Sequence, residues 1–372
     1  MDLDINEYDQ YAALADTIKI KDITSNKQNQ TILQQLRDNN EAFSELSIGS
    51  YGNEDNLYFS PQSSEELAWL GYFIGRNTNV WELYITSTPP PSCDAGIEIF
   101  RKGLSENTSI FKMVILDGNY SGGKVFQLLN PFMESSSELT DFEVEDGAFG
   151  VLGGRQLSLA LGGCNKALNH FRMTGVRIHH EQLINVITAL SMHPQLQQLE
   201  TAWMEIGLDE CTALATLLLN TTTQLKKLDV RGNDLSDEEV ELLVSALDNH
   251  KKLRELDLGY NEQFTLKGWK TVASLLERPN SNLQQLDIYH SRVGDKEALI
   301  FANVLANGST VEALDLSDNI RLLMDGHHSQ NCFVIPPVST THICRTIHLE
   351  ICLSVKFWIT MEFPVIYNIF LT

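Results

Sequence analysis

Residues 118–125 read Gly-Asn-Tyr-Ser-Gly-Gly-Lys-Val, which fits GxxxxGK, the spacing of a loop whose backbone amides cradle phosphates while its lysine reaches the terminal ones. Val125 stands where such a loop needs a serine or threonine to hold Mg²⁺. Nucleotide binding through Gly118–Lys124 is therefore carried only as an alternative. His179, His180 and Glu181 are adjacent, without the i, i+4 histidine spacing of a helical zinc site, and fall where a loop enters a helix. His327, His328, Cys332, His342, Cys344 and His348 are zinc-ligand types whose spacings match no familiar site. The six cysteines show no CxxC pair, and no GxSxG elbow occurs. No catalytic residue, cofactor or metal is expected, and the chain reads as a non-enzyme.

The elements that would position any of these residues recur along the chain. An LxxLxL frame starts at Leu225, Leu253, Leu283 and Val311, at spacings of 28, 30 and 28 residues. The same frame extends back through Leu196, Leu168, Leu139, Ile110, Val80 and Phe43, at spacings of 29, 28, 29, 29, 30 and 37. Between starts lie segments such as 235–252, where Ser236 and Glu239 have capping-box spacing and Val240, Leu243, Val244 and Leu247 recur at i, i+3, i+4, i+7. Each unit is thus predicted to be a short strand, a loop and an amphipathic helix. One such unit cannot bury its apolar stripe alone, whereas a stack makes a continuous core. Parallel strands sit about 4.8 Å apart and the wider helices take the outer side, so the stack is expected to curve.

The frame LxxLxLxxN/CxL with 28 to 30 residues per unit resembles the ribonuclease-inhibitor-like leucine-rich-repeat proteins, best in the later repeats. Asn233, Asn261 and Asn319 stand where that family's Asn or Cys bonds backbone in the loop, while Gly118, Gly147, Val176, Met204 and Ser291 depart from it. The resemblance implies an α/β solenoid, a horseshoe with parallel strands on the concave face and helices on the convex face. It also implies a protein-binding scaffold, commonly intracellular, without chemistry of its own. The predicted division is an N-terminal helical cap over 1–42, repeats over 43–319 and an atypical tail over 320–372.

Side chains between the second and third apolar residues of each strand are expected to face the concavity. They read Ser47, Tyr84, Val114, Glu143, Arg172, Glu200, Asp229, Asp257, Asp287 and Asp315, the last five all acids. Carboxylates roughly 5 Å apart repel by about 1 kcal/mol even in water, which favours a cationic partner. The bland reading is a solvated row of consensus aspartates. Trp203, Tyr260, Tyr289 and His290 lie two or three residues farther on, and aromatics beside charges are the composition of binding hot spots. Local packing over the loops is their bland reading. Trp69 and Trp269 sit in helical segments and are assigned to the core.

A net charge of −22, from 49 acids and 27 bases, disfavours nucleic acid and anionic membranes and favours a basic protein partner. The acidic start has no apolar core, so no signal or transit peptide is expected, and the scattered cysteines read as reduced, cytoplasmic usage. The sequons at Asn107 and Asn307 are then chance. A regulator of a small GTPase, by likeness to the acidic repeat protein that activates the nuclear-transport GTPase, is the runner-up. Only six of the 52 residues 321–372 are charged, and period and helix pattern stop after Asn319. That tail reads as translated sequence that did not evolve as protein, with a zinc site, a membrane tail anchor and an irregular natural extension as the other readings. Lys356, Glu362 and Pro364 count against the anchor.

Overall fold

An apolar side chain at the second apolar position of each repeat has nowhere to go but between a strand and a helix, and the register of the strands follows from that. The computed structural model describes residues 6–49, 57–86, 90–116, 124–164, 167–220, 223–248, 250–278, 281–306, 309 and 311–319. The chain forms two compact units that divide after Leu196.

In the first unit, α1 (Asn6–Leu14), α2 (Ile20–Ile23) and α3 (Lys27–Arg37) precede β1 (Glu45–Ile48) and α4 (Ser64–Arg76). There follow β2 (Glu82–Ile85), a 3-10 helix over Pro91–Gly96, α5 (Ile97–Glu106), β3 (Lys112–Leu116) and α6 (Lys124–Ser135). The unit ends with β4 (Asp141–Glu145), α7 (Gly150–Gly163), β5 (His170–Thr174) and α8 (His180–Leu190). Strands β1 to β5 pair in parallel in that order, in a register that aligns Leu46, Leu83, Met113, Phe142 and Phe171. All five are buried, each contributing about 1.5–3 kcal/mol by leaving water.

The second unit is β6 (Gln198–Ala202), α9 (Leu208–Leu219), β7 (Lys227–Asp229), α10 (Asp237–Leu247), β8 (Glu255–Asp257), α11 (Leu266–Glu277), β9 (Gln285–Asp287), α12 (Asp295–Ala306) and β10 (Ala313–Asp315). Its strands are again parallel and sequential, aligning the buried Leu199, Leu228, Leu256, Leu286 and Leu314. Each unit is therefore an α/β solenoid of leucine-rich repeats. The capping box at Ser236 forms, with the Ser236 amide donating to Glu239 Oε2 at 2.9 Å. Trp69 and Trp269 are buried in α4 and α11.

Polar side chains tie the repeats together at both ends of the strands. Before β2 and β3, Asn77 donates to Leu36 O at 3.2 Å, and Asn107 donates to Ile74 O at 2.8 Å and Asn77 O at 2.9 Å. The sequon asparagine at 107 is thus a buried structural residue. His250 does the same work in the second unit, its two ring nitrogens each 2.9 Å from a carbonyl, Leu218 O and Leu225 O. The long first interval of 37 residues accommodates Phe59, which is buried and bridges Ile48. Helices α4 and α5 approach so closely that a Cβ on Gly103 would lie 1.8 Å from Gly71 O, which only glycine allows.

Candidate partner-binding surface

Beyond the strands of the second unit, a ladder of amides shapes the loops. Asn233 donates to Thr201 O and Val230 O, both at 2.8 Å, and its Oδ1 accepts from Met204 N at 2.8 Å and Ile206 N at 3.3 Å. Asn261 repeats this one unit on, accepting from Asn233 N and Leu235 N, and Asn319 accepts from Ser291 N and Val293 N. The role implied for these asparagines is the one they have.

Directly before each rung the backbone turns left-handed, with φ of 58° at Trp203, 67° at Gly232, 55° at Tyr260, 50° at His290 and 53° at Asp318. Glycine takes this conformation freely, and bulky residues rarely do. At about 1–3 kcal/mol for each strained residue, Trp203, Tyr260 and His290 are held there against their preference. The Trp203 and Tyr260 ring centroids are 4.9 Å apart, Tyr260 and His290 stack at 4.4 Å, and Tyr289 meets Tyr260 edge-on at 5.2 Å. Trp203 and Tyr260 belong to repeats two apart. They meet because the intervening position is Gly232, where a Cβ would lie 2.4 Å from the indole. Trp203 nevertheless remains 46% exposed.

The row of acids is placed differently from a solvated face. Asp229 is 1% exposed, Glu200 and Asp257 7% each, because the strands crowd their neighbours' side chains at this position. Asp287 and Asp315 are half-buried. Asp229, Asp257 and Asp315 each accept the amide two residues on, from Arg231, Gly259 and Ser317 at 3.0, 2.9 and 2.8 Å. These bonds give aspartate a structural reason to end the strand.

Arg231 was not among the residues that sequence singled out, yet it sits at the centre of the row. Its Nε is 3.5 Å from Asp229 Oδ2, and its Nη1 is 3.4 Å from both Asp257 Oδ2 and the Tyr289 hydroxyl. Lys227 pairs with Glu200. Among the described residues no cation pairs with Asp287 or Asp315; Asp287 accepts instead from the Gln285 amide at 2.8 Å. Burial, then the charge of Asp229, pushes the Asp257 carboxyl up to about 7, against the pull of the Gly259 amide and Arg231. Burial likewise raises Asp229 and Asp287.

In the first unit most of the strand charges are paired with one another, although among the described residues Glu45 in β1 has no ion pair. Lys112 lies 3.1 Å from Glu143 and 3.9 Å from Glu82, Arg172 lies 3.4 Å from Glu145, and His170 lies 3.2 Å from Asp141. In β8 to β10 the strand positions carry Glu255, Asp257, Asp287 and Asp315, and among the described residues only Asp257 of these four has an ion pair, with Arg231.

His179 and His180 are exposed at the start of α8. Of the Gly118–Lys124 stretch only Lys124 is described, and the histidines and cysteines of 320–372 lie outside the described residues. Among the described residues no group of His, Cys, Asp and Glu is arranged to hold a metal, and no helix is long and apolar enough to cross a membrane. Cys93, Cys164 and Cys211 are free and buried. Burial pushes the Cys164 thiol up to about 11 and the Cys211 thiol up to about 12, so neither is a thiolate at neutral pH.

A family described as a leucine-rich repeat matches residues 223–244. The chain is 26% identical over 166 residues to Protein CARMIL of Dictyostelium discoideum, covering 42% of this chain and 16% of that protein. It is 25% identical over 252 residues to NACHT, LRR and PYD domains-containing protein 14 of Mus musculus, covering 65% and 22%. It is 26% identical over 157 residues to Capping protein, Arp2/3 and myosin-I linker protein 3 of Rattus norvegicus, covering 41% and 11%. The chain spans less than a quarter of the length of each of these relatives. Among solved structures, the leucine-rich repeat-containing protein LegL7 from Legionella pneumophila aligns with a TM-score of 0.41 at 13% identity, covering 73% of this chain and 89% of that one. The matched stretch holds β7 and most of α10, the same strand, loop and helix that recur through both units as an α/β solenoid of leucine-rich repeats.

Proposed function

We propose that the chain is a non-catalytic scaffold that binds a basic protein through the strand and loop face of its second unit. The observation that carries this reading is the ring cluster of the exposed Trp203 and His290 with the half-buried Tyr260, held in left-handed backbone beside carboxylates that outnumber their cations. Strain of that kind is retained where the surrounding structure enforces it, and it concentrates at functional sites. The partner-binding set is Glu200, Trp203, Asp229, Asp257, Tyr260, Asp287, Tyr289, His290 and Asp315. Within it the half-buried Asp287 and Asp315 and the rings offer contact, while Glu200, Asp229 and Asp257 supply the field. One relative is named as a linker of capping protein, Arp2/3 and myosin-I, and a linking role is what this reading carries over, without those partners.

We assign the repeats to the ribonuclease-inhibitor-like class, on a period of 28 to 30 residues with one α-helix to each repeat of the second unit. The helices before β1 act as the N-terminal cap. A reducing compartment such as the cytoplasm suits three buried free thiols.

Pulldown from lysate at low and high salt, with wild-type chain, Trp203→Ala and the double variant Asp287→Lys/Asp315→Lys, tests the reading. A specific partner is expected to be lost from both variants and weakened by salt. A captured set that neither variant alters would sink it.

A further inference from the structure

Among the described residues of the second unit Trp203 is the largest exposed ring, and none of those residues covers its open surface. It packs on Gly232 and Tyr260 and still leaves 46% of its area to solvent, in a backbone conformation that opposes a bulky residue. An exposed indole is the best ring for a cation, its negative face attracting an ammonium or guanidinium.

A second row of acids accompanies the rings. Glu205, Asp234 and Glu262 stand two residues beyond Trp203, Gly232 and Tyr260 in three successive repeats, and Glu205 and Asp234 are exposed. Glu262 holds Arg292 at 2.6 Å and His290 at 3.6 Å. Among the described residues no cation pairs with Glu205 or Asp234. The strand row holds both kinds of cation, Lys227 on Glu200 and the Arg231 guanidinium among Asp229, Asp257 and the Tyr289 hydroxyl, and the arginine is the one that also meets a ring residue. Asp229 and Asp257 are already engaged, and Asp287 and Asp315 are half-buried on the strands, whereas Glu205 and Asp234 stand exposed at the loop edge, where the indole is open.

We propose that the Trp203 indole seats an arginine side chain of the partner, its guanidinium stacked on the ring and its charge facing Glu205, Asp234 and Glu262. The proposal rests on the protein-binding reading above and names the chemistry of that contact. Arginine suits the seat better than lysine because its planar, weakly hydrated head stacks on a ring while its edges still donate to carboxylates.

The test is calorimetric titration of the full chain at physiological salt with a peptide of alternating arginine and glycine. Its counterparts carry citrulline, which keeps the shape and removes the charge, or lysine. The arginine peptide is expected to bind, the citrulline peptide about ten-fold or more weakly, and the lysine peptide several-fold more weakly. Trp203→Ala is expected to weaken the arginine peptide about five-fold, Trp203→Phe less, and Trp81→Ala, which removes an exposed indole of the first unit, not at all. The peptide series needs no altered protein, so a misfolded variant does not decide the outcome. Equal binding of arginine and citrulline peptides, equal binding of arginine and lysine peptides, or unchanged affinity in a folded Trp203→Ala would each overturn the seat. A pulled-down partner that needs Trp203 but is displaced by none of the peptides overturns the seat and leaves the protein-binding reading standing. Capture that is indifferent to Trp203 but lost in Asp287→Lys/Asp315→Lys likewise overturns only the seat, and capture indifferent to both variants removes both.

Discussion

Replacing Asp257 by asparagine removes a charge from the middle of the strand row while keeping the oxygen that accepts the Gly259 amide at 2.9 Å. In the folded chain the carboxyl is raised from 3.8 to about 7, burial first and the Asp229 charge second. A group raised in this way contributes stability that is fully present below about 3.8 and is lost as the pH climbs through about 7. At about 1.4 kcal/mol for each pH unit, the ionised form costs the fold ~4 kcal/mol above pH 7, less whatever Arg231 returns by relaxing toward it. Asp257→Asn never pays that penalty. Its unfolding free energy, from guanidinium or urea melts between pH 4 and 8.5, is therefore expected to match the wild type near pH 4 and to exceed it by a few kcal/mol at pH 8. Asp229 and Asp287 are raised too and remain in both proteins, and because their charges are among the causes of the Asp257 shift, the difference between the two curves reports Asp257 together with its coupling to them. A variant less stable than wild type at pH 8, or a gap that does not change with pH, would refute the reasoning. Either result would mean that the ionised Asp257 is a net partner of Arg231 and that burial does not dominate.

Asn261→Ala removes a fully buried amide that donates to Val230 O, Leu258 O and Gly259 O and accepts from Asn233 N and Leu235 N, leaving five backbone groups without it. A loss of about 3–5 kcal/mol is expected in equilibrium unfolding, larger than for any single surface change in the same repeat. Gly232→Ala puts a Cβ 2.4 Å from the Trp203 indole on a left-handed backbone. It is expected to cost about 1–3 kcal/mol and to displace the indole from Tyr260, read as a red shift of tryptophan emission together with weaker partner capture.

The period of 28 to 30 residues was enough to place the strands, because each LxxLxL start marks the apolar side of a short β segment and the parallel register follows. Asn233, Asn261 and Asn319 were legible for the same reason: a buried amide recurring at one frame position can only serve the backbone. Ser236 and Glu239 were legible as a local capping pair. Arg231 was not, since its partners Asp257 and Tyr289 lie one and two repeats away and only stacking brings them within reach. Nor was the burial of Asp229, because alternation along a strand says which way a side chain points, not how tightly its neighbours close over it. Asn77 and Asn107 went unnoticed as helix-to-strand ties, since in sequence they look like ordinary turn residues and one of them opens a sequon. The meeting of Trp203 with Tyr260 depended on the absence of a side chain at Gly232, and an absence carries no periodic signal.

The asparagine ladder has one weak rung. Ser291 offers a single hydroxyl where Asn261 and Asn319 offer an amide, donating to Tyr289 O at 3.0 Å and accepting the Asn261 amide at 3.3 Å. In a serial array each repeat transmits load only through its neighbours, so a poorly bonded rung behaves as a mechanical fuse. Tension applied along the second unit should part the stack at that junction before the rungs at Asn233 and Asn261 yield. The ring cluster lies astride it, Tyr260 on one side and His290 on the other, so a ligand bridging the two would also act as a splint.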